Sequence, residues 1–239
     1  MPSEYGTWKT VYMRHRRCSG DGTWQRILDL LRTGCDEAEG DGWTVSVDST
    51  INRAHQDAAG ARRELPRDNG CRVKDESGGR EAIGKSRGGR TAKIHLAADR
   101  RCRPLATVTT PGQHHDSRAF TKVMDRIRIL RRGLGRPRVT SARVLADKAY
   151  SSRAIRDHLC SRGIKLVIPE KEDQKAHRRN RGSAGGRPRA FDAERYKDRN
   201  TAERCFNKLK GFRAVATTTV RMKGCRLDPD MASRPRHLR

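Results

Sequence analysis

Apolar residues near the start of the chain recur at intervals of three and four positions, the spacing of one face of a helix. Two groups follow this spacing, the first from Tyr5 to Tyr12 and the second from Trp24 to Leu31. An Asp-Gly-Thr sequence at 21–23 stands between them and supplies a turn followed by a helix N-cap. The pattern predicts a helical N-terminal region over residues 1–40.

Beyond this region the apolar positions change to alternating or short continuous runs that are typical of strands. The runs predict strands at 43–49, 93–98, 104–110, 143–146 and 164–168. The second and third of these strands are close enough in sequence to form a hairpin. Residues 50–90, in contrast, are rich in Gly, Arg, Asp and Ser without lasting periodicity, and they predict a long, flexible, exposed insertion.

Helical spacing returns after the hairpin. It predicts helices from Asp116 or Ser117 to about Arg132, from Ser151 or Ser152 to Gly163, and from Asp192 or Arg199 to Phe212. Residues 170–189 are charged and glycine-rich, and they predict a linker.

The order of these elements is helices, strand, hairpin, helix, strand, helix, strand, helix. Interspersed strands and helices indicate a layered α/β fold. Three antiparallel strands followed by parallel strand–helix units form the order of a ribonuclease-H-like core. We therefore predict a ribonuclease-H-like mixed sheet flanked by helices over residues 43–216, followed by an irregular basic tail over 217–239.

Positive charge dominates the composition, with 54 Lys and Arg against 28 Asp and Glu and a net charge of +26. The planar guanidinium of Arg matches phosphate with two hydrogen bonds, so the excess indicates a nucleic-acid partner. Alternatively, part of the use of Arg in place of Lys comes from an arginine-rich proteome encoded by a GC-rich genome. No apolar run approaches the roughly 20 residues needed to cross a bilayer. The seven scattered cysteines lack a CxxC pair, which argues against a disulfide framework or a structural zinc site.

Three acidic residues are candidates for chemistry. Asp48 and Asp147 end predicted strands, where a carboxylate is costly unless it is paired or binds a metal. A turn or helix cap is the ordinary alternative for both. Glu203 lies on the last predicted helix, where an exposed ion pair with Arg199 is the ordinary alternative. Because the three acids lie on separate elements of a ribonuclease-H-like order, they can converge on one or two Mg²⁺ ions, which prefer carboxylate oxygens.

Other conspicuous residues receive structural interpretations. The adjacent His114 and His115 point to opposite faces if extended, which argues against a shared metal ion. The glycine-rich segments 86–90 and 182–189 lack a Walker ending and predict flexible basic loops that follow DNA phosphates. The three tryptophans are predicted to be core residues: Trp8, Trp24 and Trp43.

A family signature runs through the last predicted helix. Tyr196, Arg199, Glu203 and Lys210 match the pattern Y-x2-R-x3-E-x6-K. VDST around Asp48, VLADKAYSS around Asp147, KIHLAAD, TPGQHHDS and ERCFNKLK occur in the matching order. From about residue 5 to residue 217 the chain resembles DDE transposases of bacterial insertion sequences, in the insertion sequence four/five superfamily and the actinobacterial branch of the five family.

The resemblance implies strand cleavage and strand transfer at transposon ends, with Mg²⁺ or Mn²⁺ as cofactor and two ions expected. It implies Asp48, Asp147 and Glu203 as catalytic metal ligands. The residues expected to contact DNA are Tyr196, Arg199, Lys210, Arg204 and Lys148. The implied partners are double-stranded DNA, both inverted terminal repeats and target, and a second copy of the chain. We expect a cytoplasmic, nucleoid-associated protein without a membrane segment.

The similarity ends near residue 217, and the family pattern also begins with a longer helical region. The N-terminal residues 1–40 are therefore expected to be a partial DNA-binding domain. This leaves a second hypothesis open, a catalytically inactive remnant that binds DNA without cutting it. An RNA-binding protein of the ribosomal type is a weaker hypothesis, because it does not account for strand-end acids or for the Tyr-Arg-Glu-Lys pattern.

Overall fold

A mixed six-stranded sheet organises the residues that the computed structural model describes, 3–55 and 82–216. Its strands are β1 (Thr44–Arg53), β2 (Gly84–Ser86), β3 (Gly89–Asp99), β4 (Pro104–Pro111), β5 (Arg143–Ala146) and β6 (Lys165–Val167). Strand β3 pairs antiparallel with β1, β2 and β4, whereas β5 pairs parallel with both β1 and β6. The order β4–β3–β1–β5–β6 is that of a ribonuclease-H-like sheet, which confirms the predicted fold class.

Helices precede the sheet and flank it. They are α1 (Trp8–Gly20), α2 (Thr23–Arg32), α3 (Ser117–Asp125), α4 (Arg153–Ser161), α5 (Glu172–Asn180), α6 (Ala193–Tyr196), α7 (Asn200–Lys210) and α8 (Arg213–Ala216). The first two confirm the predicted N-terminal helices. Gly22 between them has φ of 74°, a conformation that favours glycine. Within the described ranges, no helix is long and apolar enough to cross a membrane.

The two faces of the sheet differ because side chains alternate along each strand. We call the first the core face; there Val45 and Val47 of β1 and Val144 of β5 are buried beneath α3 and α4. We call the second the site face; there Leu96 of β3 packs against Phe206 of α7. The larger apolar core lies on the core face.

The predicted insertion over 50–90 is wrong at its two ends. Strand β1 continues to Arg53, and β3 begins at Gly89 after a tight turn from β2. The pairing of β1 with β3 runs without a break from Val45–Asp99 to Arg53–Thr91, so ladder hydrogen bonds override the polar composition. Residues 56–81 of the predicted insertion lie outside the described residues.

Two further element predictions are corrected. The helix predicted to reach Arg132 ends at Asp125, and Ile129 instead exchanges backbone hydrogen bonds of 2.9 and 2.8 Å with Arg138. Ile127 and Ile129 are both buried, and this two-residue spacing is that of an extended segment, because residues two apart on a helix point to different sides. The predicted linker 170–189 contains helix α5, which has no apolar stripe to reveal it.

The tryptophan prediction is confirmed at one position and wrong at two. Trp43 is completely buried, whereas Trp8 and Trp24 are 71% and 43% exposed. Trp8 lies on α1 and Trp24 on α2, and these helices pack on each other without a sheet to cover their apolar sides. Helical spacing identified the apolar stripe of the pair, but it carries no information on what covers that stripe.

Candidate active site

Asp48 and Asp147 lie next to each other on adjacent parallel strands. The register pairs Val47 of β1 with Ala146 of β5, so the following residues on the two strands are the two aspartates. Asp147 continues in extended conformation, with φ of −68° and ψ of 162°. Because Val47 and Ala146 point into the core face, both carboxylates belong to the site face.

Glu203 is placed near them by helix α7, which crosses the site face. The hydroxyl of Ser46 donates a hydrogen bond of 2.9 Å to the carbonyl oxygen of Arg199, at the entry to this helix. The Arg199 guanidinium then lies 2.9 Å from Glu203 (Nη2 to Oε1) and 3.7 Å from Asp48 (Nη1 to Oδ2). Arg199 therefore joins the acid of the helix to the acid of the central strand.

Electrostatic coupling among the three acids acts on Asp48. Burial is the largest cause that raises the pKa of Asp48, and the negative charges of Glu203 and Asp147 raise it further. The Ser49 backbone N–H, at 2.8 Å, and the Arg199 guanidinium act in the opposite direction without outweighing these causes. Asp48 is therefore harder to ionise than an exposed aspartate, mainly because it is buried.

Tyr196 completes the inner part of the site. Its ring centre lies 5.8 Å from the Arg199 guanidinium carbon, in the range of a cation–π contact, and its edge packs on Phe191 at 5.2 Å. Burial raises the pKa of Tyr196, and a side-chain hydrogen bond with Asp147 contributes to the rise. The phenol therefore lies near Asp147.

The remaining predicted DNA contacts are exposed cations around this centre. Lys148 directly follows Asp147, Arg204 directly follows Glu203, and Lys210 is the last residue of α7. None of these three side chains pairs with a carboxylate of the described residues; Arg204 makes a hydrogen bond of 3.4 Å to Thr201. Lys210 lies seven residues beyond Glu203, roughly 10 Å along the helix axis. These three exposed side chains place positive charge around the acids.

The donor chemistry of the centre suits a divalent cation, although the acids do not form a closed cluster. Mg²⁺ and Mn²⁺ prefer carboxylate oxygens, and three mutually repelling carboxylates supply them. Across residues 3–55 and 82–216, however, no three His, Cys, Asp or Glu side chains are grouped closely enough to hold a metal ion. In this arrangement Glu203 forms an ion pair with Arg199.

Residues that the sequence reasoning missed support the centre from both faces. Ser46 fixes the entry to α7, and its position two residues before Asp48 is the signal that places it on the same face. On the core face, Ser49 hydrogen-bonds to Asp116, whose Oδ1 lies 2.8 Å from Lys93 Nζ. Burial acts to raise the pKa of Asp116, but hydrogen bonds from Lys93 and Ser49 hold it below its ordinary value.

Comparison with known proteins agrees with this geometry. Residues 39–224 match the family model described as Transposase DDE domain, which spans most of the chain and includes all three acids. No curated protein and no solved structure matches the chain. The chain belongs to the DDE transposase family.

Proposed function

We propose that this protein is a metal-dependent polynucleotidyl transferase that cleaves DNA at the ends of its insertion sequence and joins those ends to target DNA. The observation that carries the proposal is the meeting of Asp48 and Asp147 on neighbouring strands, with Glu203 joined to them through Arg199. The Tyr-Arg-Glu-Lys pattern further supports membership of the insertion sequence four/five superfamily, and the motifs around Asp48 and Asp147 support the actinobacterial branch of the five family.

The three acids are proposed to hold one or two Mg²⁺ or Mn²⁺ ions. Bound there, such ions supply activation of an attacking water or 3′-hydroxyl and stabilisation of the leaving oxygen at phosphorus. Arg199 then exchanges its partner Glu203 for a DNA phosphate, which its guanidinium binds with two hydrogen bonds. Tyr196 orients Asp147 through its phenol.

The exposed cations around the centre are proposed to bind the DNA backbone. Lys148, Arg204 and Lys210 flank the acids without a described carboxylate partner, so their charges are available to phosphates. The proposed partners are duplexes that carry the inverted terminal repeats, target DNA and a second copy of the chain.

Strand cleavage tests this function. A duplex with the flanking inverted repeats is incubated with the protein and Mg²⁺ or Mn²⁺, beside the variant Asp147→Asn. Cleavage that requires metal and is lost in Asp147→Asn supports the proposal. Salt-dependent binding without any cleavage favours the alternative of a non-cutting remnant, for which the pairing of Glu203 with Arg199 would be the resting arrangement.

A further inference from the structure

The segment that connects β6 to α6 is rich in charged residues and lies beside the proposed active site. Residues 170–189 contain seven Lys and Arg and three acids. Helix α5 lies within it and buries none of its residues. A helix that is polar on all sides is stabilised by local pairs and external contacts, since it has no apolar stripe to pack. We call residues 170–189 the basic arm.

The base of the basic arm is fixed to the segment that follows Asp147. Ser151 is almost fully buried, and its hydroxyl donates to Gln174 Oε1 at 2.8 Å. In return, Gln174 Nε2 donates to the Ser151 carbonyl oxygen at 2.5 Å. Arg156 Nη2 donates to the same hydroxyl at 2.8 Å. The arm therefore has a defined position relative to Asp147.

The arm also closes on itself. The Glu170 side chain is only 10% exposed, and its carboxylate pairs with Arg178 at 2.6 Å and with Arg189 at 3.3 Å. These two contacts tie the end of the arm to its beginning. Gly185 packs so tightly that a Cβ there would lie 2.2 Å from the Arg178 carbonyl oxygen. The return segment is thus held against the end of α5.

Ion pairs within the arm engage two of its three acids, and three of its arginines remain outside these pairs. Glu170 is neutralised by two arginines, and Glu172 pairs with Lys175 at 2.7 Å. Arg179, Arg181 and Arg187 are exposed and form no ion pair with a described carboxylate. A groove of about 470 Å³ lies between residues 147–149 and 170–173, so the base of the arm borders an open groove at Asp147 while the three arginines lie outside its lining.

We propose that the basic arm is a DNA-binding element, in which Arg179, Arg181 and Arg187 contact the phosphates of a duplex held beside Asp147. The inference rests on the proposed function, because the groove leads to its catalytic centre. Unpaired guanidinium groups on an anchored support suit phosphates, and phosphate contacts fix the register of a duplex without reading its sequence.

The test is the salt dependence of DNA binding, measured in EDTA so that no cleavage contributes. The probe is a fluorescein-labelled duplex of mixed sequence. The triple variant Arg179→Gln, Arg181→Gln, Arg187→Gln is compared with a control of equal charge change, Arg128→Gln, Arg131→Gln, Arg136→Gln. The control arginines are also exposed, and their segment contacts residues 34–37 before β1, toward the end of the parallel strands away from Asp147.

The slope of log K against log salt concentration becomes shallower by about 0.9 for each phosphate that the protein no longer neutralises. We expect the arm variant to lose roughly two to three units of slope and the control less than one. Each single arm variant should lose about one unit, so a folding defect in the triple variant does not hide the effect. Equal slopes for the arm variant and the control, or for the arm variant and the unmodified protein, overturn the proposal.

The same data separate this proposal from the proposed function. If the unmodified protein binds DNA and cleaves it with metal while the arm variant keeps the full slope, the arm proposal alone fails. If the unmodified protein binds no DNA, the proposed function fails and the arm proposal fails with it. A Gln174→Ala variant leaves the net charge unchanged, and we expect weaker binding from the loss of the anchor to Ser151.

Discussion

The two faces of the sheet bury their side chains against different kinds of partner. On the core face, Phe120, Met124 and Leu159 from two helices are completely buried against the central strands. On the site face, a small cluster around Leu96 and Phe206 is the apolar contact that holds α7. The core face therefore supplies most of the apolar burial that stabilises the fold.

On the site face, polar contacts position the helices, whereas on the core face apolar packing does so. Ser46 bonds to the Arg199 carbonyl oxygen, and Asn52 donates to the carbonyl oxygen of Val215. The Ser46 bond fixes the entry to α7, and with it Glu203, whereas the Asn52 bond fixes the following helix α8; each contributes a small net free energy. This difference between the faces predicts that changes on the core face mainly affect stability, whereas changes on the site face mainly affect the geometry of the candidate site.

The largest expected effect is on catalysis without a loss of stability. Asp147→Asn should lower the rate of metal-dependent strand cleavage by at least about 10³-fold, because a carboxylate ligand is removed from a unit that acts together. The melting temperature should not fall, since no packing is removed. The control is Asp157→Asn on α4, whose side chain is 69% exposed in an ion pair with Arg153. A comparable drop in cleavage for both variants would contradict the assignment.

Substitutions on the core face should lower stability rather than act directly on catalysis. Phe120→Ala should lower the free energy of unfolding by about 3–5 kcal/mol, as a large buried aromatic leaves a cavity. Phe206→Ala on the site face should cost less, because the smaller cluster relaxes more easily, yet it should also slow cleavage by loosening α7. Chemical denaturation and cleavage assays measure the two effects. A larger stability loss for Phe206→Ala would reverse the proposed roles of the faces.

A buried histidine makes the core face sensitive to acid. Burial lowers the pKa of His95 from 6.5 to about 4, and its Nε2 lies 2.8 Å from the Thr110 hydroxyl. Between these two pH values the unfolded chain binds a proton that the folded protein does not. The free energy of unfolding should therefore fall as pH drops from 6.5 to 4, by about 3 kcal/mol in total.

Denaturation at a series of pH values measures this loss. His95→Gln should remove most of the pH dependence in that window, whereas His115→Gln, at an exposed position, should leave it in place. An unchanged pH profile in His95→Gln would show that other groups cause the acid sensitivity.

The sequence predicted those parts of the fold in which local pattern and tertiary packing agree. Strand β5 was predicted with its observed bounds, because a continuous apolar run fits a strand that is buried on both faces. Asp147 directly follows β5 as predicted, whereas the prediction that Asp48 ends its strand is wrong, because β1 continues to Arg53. The helical arm was missed, because its position depends on Gln174 meeting Ser151 and on Glu170 meeting two arginines. Such contacts between distant residues leave no periodic pattern in the sequence.

The contacts of Arg199 show that the same kind of long-range contact was missed at the candidate site. The spacing of four residues permits the contact with Glu203 on any helix, but the approach of Arg199 to Asp48 requires the packing of α7 on β1. Ser46 was overlooked for a related reason, since its position two residues before Asp48 predicts the face on which it lies but not its partner there. Its role depends on the helix that arrives from more than one hundred and fifty residues later in the chain.

Ser46 therefore offers the finest test of the difference between the faces. Ser46→Ala removes one hydrogen bond and should cost about 1 kcal/mol of unfolding free energy. Its effect on cleavage should be several-fold, because Arg199 and Glu203 lose the bond that fixes the entry to α7. The matched control is Ser161→Ala, which removes an exposed bond of the same kind, 2.9 Å from Ser161 Oγ to the His158 carbonyl oxygen. If the two variants cleave DNA at equal rates, apolar packing alone positions α7. The helices on both faces would then be held in the same way.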